Sequence, residues 1–92
     1  MANAIITIKI MPTSPEVDLM TLETQILKKI EAFAGKGDTK SETEPIAFGL
    51  NALNIIFIMD ESIGSPDVLA DQVAEFEGVN SAEITDVRRA IG

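Results

Sequence analysis

The chain has 92 residues, 46% of them hydrophobic, and a formal charge of −8, which predicts one small core and a single domain over residues 1–92. It contains no cysteine, histidine, tyrosine or tryptophan, which excludes thiol chemistry, disulfides, the usual zinc ligands and the commonest general base at neutral pH. The negative charge repels nucleic-acid phosphates and anionic membranes and favours a basic protein partner.

Ala4 to Met11, AIITIKIM, alternates Ile6, Ile8 and Ile10 with Thr7 and Lys9, the period of a half-buried strand, and Pro12 ends it. Met1-Ala-Asn-Ala leads into this strand with no basic region and no cleavage-like site, so a cytoplasmic chain is expected. A helix follows, capped either by Ser14 ahead of Pro15 or by Asp18. The cap at Asp18 is favoured because Leu19, Leu22, Ile26, Ile30 and Phe33 then form one stripe. Gly35 and Gly37 stop it. Thr39, Ser41 and Thr43 alternate with Lys40, Glu42 and Glu44, a polar pattern suited to an edge strand, as is Pro45. Leu53 to Met59, broken only by Asn54, is a central strand and too short to cross a bilayer. Asp60 to Gly64 is a loop. Ser65-Pro66-Asp67 starts a second helix, with Val68, Leu69, Val73 and Phe76 as its buried stripe and Gly78 as its stop. In the last strand, Val79 to Ile91, the alternation shifts phase between Ile84 and Val87, which predicts a bulge or the end of regular pairing.

The order strand, helix, strand, strand, helix, strand predicts an α+β, ferredoxin-like βαββαβ sandwich. Its two helices cover one face of a four-stranded antiparallel sheet of order 4-1-3-2. That scaffold carries many unrelated activities, so function must come from particular residues. No cofactor-binding fingerprint is present: Gly35-Lys36-Gly37 follows a helix where a phosphate loop precedes one, and Asp60, Glu61 and Asp67 lack calcium-loop spacing.

Two segments stand out. In Pro45-Ile46-Ala47-Phe48-Gly49-Leu50, Phe48 sits in a tight connection beside a glycine able to adopt positive φ. It either caps the core from the turn or stands exposed as an anchor. In Asp86-Val87-Arg88-Arg89 the only two arginines are adjacent, and on a strand they point to opposite faces. They are either solvated charges, or one pairs with an acid such as Asp86 or Glu83 while the other offers paired donors to a phosphate or carboxylate of a partner.

The succession MPTSPEVDL, EPIAFGLNALNI, a middle acidic loop and EGVNSAEITDVRR resembles the archaeal form of the elongation factor 1-beta family, over roughly residues 4 to 91, and more distantly the C-terminal module of the eukaryotic exchange factor. The resemblance implies exchange of GDP for GTP on elongation factor 1-alpha, with no direct nucleic-acid contact, no membrane, no cofactor and no bond-making chemistry. It implies that the aromatic of the PIxFG segment, here Phe48 flanked by Ile46 and Gly49, enters a pocket on the GTPase. It also implies that Arg89, at the position of a lysine in the eukaryotic module, or Arg88 beside it, approaches the magnesium and phosphate site. Ala90, Ile91 and Gly92 continue past that point, and Asn51 and Ala52 replace a basic pair. A ferredoxin-like regulatory module binding a small ligand is the alternative.

Overall fold

A computed structural model describes residues 3–90. Four strands and two helices follow in the expected order: β1 (Asn3–Pro12), α1 (Leu19–Ala34), β2 (Thr39–Pro45), β3 (Asn51–Asp60), α2 (Asp67–Val73) and β4 (Val79–Ala90), with a short 3-10 turn at Glu61–Ile63 between β3 and α2. The sheet is antiparallel, in the order β2-β3-β1-β4, which is the expected order counted from the other edge. The two isoleucine-rich strands therefore lie at the centre, where both neighbours satisfy their backbone groups and one face is dry.

Ile6, Ile8 and Ile10 of β1 and Leu53, Ile55, Phe57 and Met59 of β3 form the sheet side of the core. Leu22, Ile26 and Ile30 of α1 and Leu69, Ala70 and Val73 of α2 close it from above. Leu19 and Phe33 pack at the margins of the same cluster. No polar or charged side chain among the described residues is buried, so the core demands no internal hydrogen bonds from side chains.

Asp18 is the cap of α1: its carboxylate accepts from the N–H groups of Met20 and Thr21 and from the Thr21 hydroxyl at 2.9 Å. Gly35 ends the helix with φ +87°. Val68 departs from the expected stripe. It is about half exposed, and Ala70 is buried in its stead, because α2 has only seven residues and turns Leu69, Ala70 and Val73 toward the sheet. Ser65 serves α2 as expected, its hydroxyl accepting from Asp67 N–H at 3.2 Å while Pro66 already has helical φ and ψ. The segment after Asp60 is a 3-10 turn, more ordered than a plain loop, with the Asp60 carboxylate accepting from Ser62 N–H at 2.9 Å. In β4 the register against β1 slips between Thr7 and Ile8, at the phase shift legible in the sequence. Ile91 and Gly92, and the leading Met1-Ala2, lie outside the described residues.

Phe57→Ala should cost ~3–5 kcal/mol of stability through lost burial and a cavity, read as a lowered midpoint in urea. The hydrogen bond from the Thr21 hydroxyl, and those from Thr21 and Met20 N–H, hold the Asp18 carboxyl below its ordinary 3.8. Its contribution is therefore complete above that ordinary value and is lost as pH falls through the depressed one. Asp18→Asn should flatten the acid side of a Tm-against-pH profile relative to the parent protein.

Candidate functional site: two exposed ends of one sheet

The β2–β3 hairpin turns through Ala47-Phe48-Gly49. Ile46 N–H donates to Leu50 O at 2.8 Å, and Leu50 N–H donates to Ala47 O at 3.1 Å. Between them Phe48 has φ +59° and Gly49 φ +79°, the pair of positive values that a type I′ turn requires. Such a turn ordinarily takes Asn or Asp first and Gly second. Here a bulky aromatic occupies the left-handed first position, at a cost of about 1–2 kcal/mol, and it is the only non-glycine among the described residues with positive φ.

The ring repays none of that cost within the protein, since Phe48 is 95% exposed. The alternative in which it caps the core from the turn is therefore excluded. Ile46 is also exposed, and Pro15 from the β1–α1 loop lies against Gly49. Met20, at the start of α1, is a further exposed apolar side chain at 79%.

At the other end of the sheet, Arg88 is paired with Ile5 across β1 and Arg89 with Ala4. Ala4 is buried against the helices, so Arg89 leaves β4 on the helix side and Arg88 on the open side, as strand geometry requires. Both guanidinium groups are largely exposed, and both are ion-paired. Arg88 Nε donates to Asp86 Oδ2 at 2.9 Å, and Arg89 Nε donates to Glu61 Oε1 at 3.2 Å. The expectation that one arginine pairs while the other stays free needs correcting. Asp86, one of the two acids considered, is the partner of Arg88, but Arg89 also has one, in the 3-10 turn, a contact between residues 28 apart that no local pattern displays. The N–H and hydroxyl of Ser62 hold the Asp60 carboxyl below its ordinary value and fix the turn that carries Glu61.

Sequence reasoning also missed the apolar rim of this end. Val87 is exposed there at 57%, and Ile63 of the 3-10 turn and Val68 of α2 are exposed at 43% and 51%. Val87 also lines a shallow depression with Ala4, Ile6, Met59, Glu61, Gly64 and Pro66. The available signal was Val68, an apolar residue outside the strict helical stripe.

The two candidate segments are not brought together. β3 runs the length of the sheet between them, and its ten residues span about 30 Å. The molecule as a whole measures 42 × 20 × 18 Å. Among the described residues no three His, Cys, Asp or Glu side chains are grouped to hold a metal ion, and no helix is long and apolar enough to cross a membrane. The arrangement suits contact with a large partner.

Fold and surface define a small ferredoxin-like module that presents an aromatic knob at one end and two guanidinium groups at the other. The sequence profile of the EF-1 guanine nucleotide exchange domain matches residues 5–90, and the chain belongs to that family. It is 45% identical over 89 residues to elongation factor 1-beta of Methanobrevibacter smithii and 40% identical over 89 residues to that of Methanothermobacter thermautotrophicus, covering 97% of this chain and 98% of each relative. It is 37% identical over 90 residues to the protein of the same name from Sulfurisphaera tokodaii, with 97% of both chains covered. The protein is thus an exchange factor of translation elongation. A de novo designed protein, Foldit4, shares the fold at a TM-score of 0.63 and 15% identity over 98% of both chains. That likeness concerns architecture alone.

Phe48→Asn should raise stability by about 1 kcal/mol by relieving the left-handed aromatic, and Gly49→Ala should lower it by a similar amount, because its Cβ meets only an ordinary contact at 3.8 Å and the penalty is in the backbone. Urea midpoints of the two variants, moving in opposite directions, are the check.

Proposed function

We propose that this chain, as a single exchange domain over residues 1–92, acts in the cytoplasm on the elongation factor 1-alpha GTPase and loosens its GDP by gripping it at both ends of the sheet. The observation that carries this reading is Phe48: a fully exposed ring held at φ +59°. Strain of that kind persists where a function repays it. Burying the ring in a partner's pocket contributes roughly 1.5–3 kcal/mol, enough to offset the turn and leave a surplus for docking.

Ile46 and Gly49 support the same contact, the first with exposed apolar surface and the second by permitting the turn. At the far end Arg88 and Arg89 supply the only guanidinium groups of the chain. A guanidinium brought to the magnesium and phosphate region competes there for the groups that hold the nucleotide. A factor that binds the empty GTPase more tightly than the GDP-bound form weakens GDP by the same ratio, a matter of linkage that makes and breaks no bond. The net charge of −8 steers the factor toward a basic surface of the GTPase.

Against direct nucleic-acid binding stand the acids of the open sheet face: Glu44, hydrogen-bonded by Asn54 and 3.7 Å from Lys9 Nζ, together with Glu42, Glu83 and Asp86. A small-ligand regulatory module finds no support, because such a site needs converging polar groups in an enclosed pocket, and no buried polar side chain occurs among the described residues.

Release of fluorescent GDP from the GTPase, measured against factor concentration, is the test. Phe48→Ala should raise the half-saturating concentration about tenfold or more while the circular dichroism and urea midpoint remain those of a folded protein. Unchanged release kinetics from that variant would remove the anchor role. Arg89→Ala should lower the rate at saturating factor more than it weakens binding.

A further inference from the structure

We infer that Glu61 is a positioning residue for exchange: it holds Arg89 by Nε, so that the two terminal nitrogens of the guanidinium face outward as a ready fork for an anionic group of the partner. This rests on the exchange reading above and assigns the exchange-promoting cation to Arg89 in place of Arg88.

The geometry of the two arginines differs in what holds them. Arg88 is bound by Asp86, two residues away on the same strand and the same open face, so its carboxylate partner moves with it and ties it to no second element. Arg89 is bound by Glu61 from the 3-10 turn, across the end of the central strand β1 at Ala4, whose register partners are Met59 and Arg89. That turn is itself fixed by the Asp60 carboxylate on Ser62 N–H at 2.9 Å. The contact therefore clamps a long, rotamer-rich side chain at a defined corner of the fold.

A free arginine carries the large rotamer entropy of a long, flexible side chain, which must otherwise be lost when it meets its target. Prior restraint lowers that loss, and it acts on the step in which the guanidinium engages. Contact through Nε leaves Nη1 and Nη2 as the paired donors that match a phosphate or carboxylate. The exposed Val87 lines the same shallow depression as Glu61 and supplies apolar surface against which a partner excludes water. An exposed pair of this kind is worth little to folding, so its value lies in where it holds Arg89.

The test is a double-mutant cycle in GDP release from the cognate GTPase, with saturating rate and half-saturating concentration fitted separately. Glu61→Gln should lower the saturating rate about two- to fivefold, the range that an exposed ion pair can supply, with little change in half-saturation and no change in urea midpoint. In an Arg89→Ala background the same substitution should have no further effect. Asp86→Asn should leave the rate near that of the parent.

A parent rate for Glu61→Gln, an undiminished effect of Glu61→Gln when Arg89 is Ala, or an equal loss in Asp86→Asn would each overturn the assignment while leaving exchange activity standing. Failure of the unsubstituted factor to speed GDP release overturns the exchange reading itself, and this inference with it.

Discussion

The structure depends on the dry contact between the β1–β3 ribbon and the two helices. Ile6, Ile8 and Ile10 stand beside Leu53, Ile55 and Phe57 and press against Leu22, Ile26, Ile30, Leu69 and Val73. At roughly 25 cal/mol per Å² of apolar surface withdrawn from water, this layer is the main favourable contribution available to a chain of this size without disulfides. It also makes a stiff bar of the two central strands, because each is hydrogen-bonded on both sides. What the protein presents at its two ends is therefore held at a fixed separation.

That rigidity gives meaning to the features at the ends. The hairpin tip holds an aromatic residue where asparagine would be more comfortable, and the opposite corner holds a guanidinium in an ion pair too exposed to matter for stability. Both are local departures from what folding alone would select. They sit on a core with no such compromise: no buried polar side chain and no unpaired buried side-chain nitrogen or oxygen among the described residues. A four-stranded sheet braced by two helices is the strut between these two ends, some 30 Å apart. The connection between the Phe48 end and the Arg89 end therefore yields little.

Most of the fold was legible because the chain obeys period-two and period-3.6 patterning almost throughout. The isoleucines of β1, the Asp18 cap, the polar β2 with Pro45 at its margin and the slip between Ile84 and Val87 are all local signals, each set by residues within a few positions of one another. Val68 misled because an apolar side chain next to a buried stripe looks like part of it, and only the short length and rotation of α2 turn it outward. The arginines were recognised as a pair on opposite faces, yet the partner of Arg89 was not, since Glu61 reaches it across a strand and through a turn whose shape depends on Asp60 and Ser62.

By itself, then, the amino-acid order determined the elements, their sequence, the buried face of each strand and the residues worth suspecting, since these follow from hydrophobic periodicity, caps and turn chemistry acting over short range. Tertiary structure alone decided that Phe48 is bare and backbone-strained, that its end and the arginine end are far apart, and that Glu61 grips Arg89. Those are relations between segments distant along the chain, and they exist only once strand pairing and the packing of the helices have fixed where each segment lies.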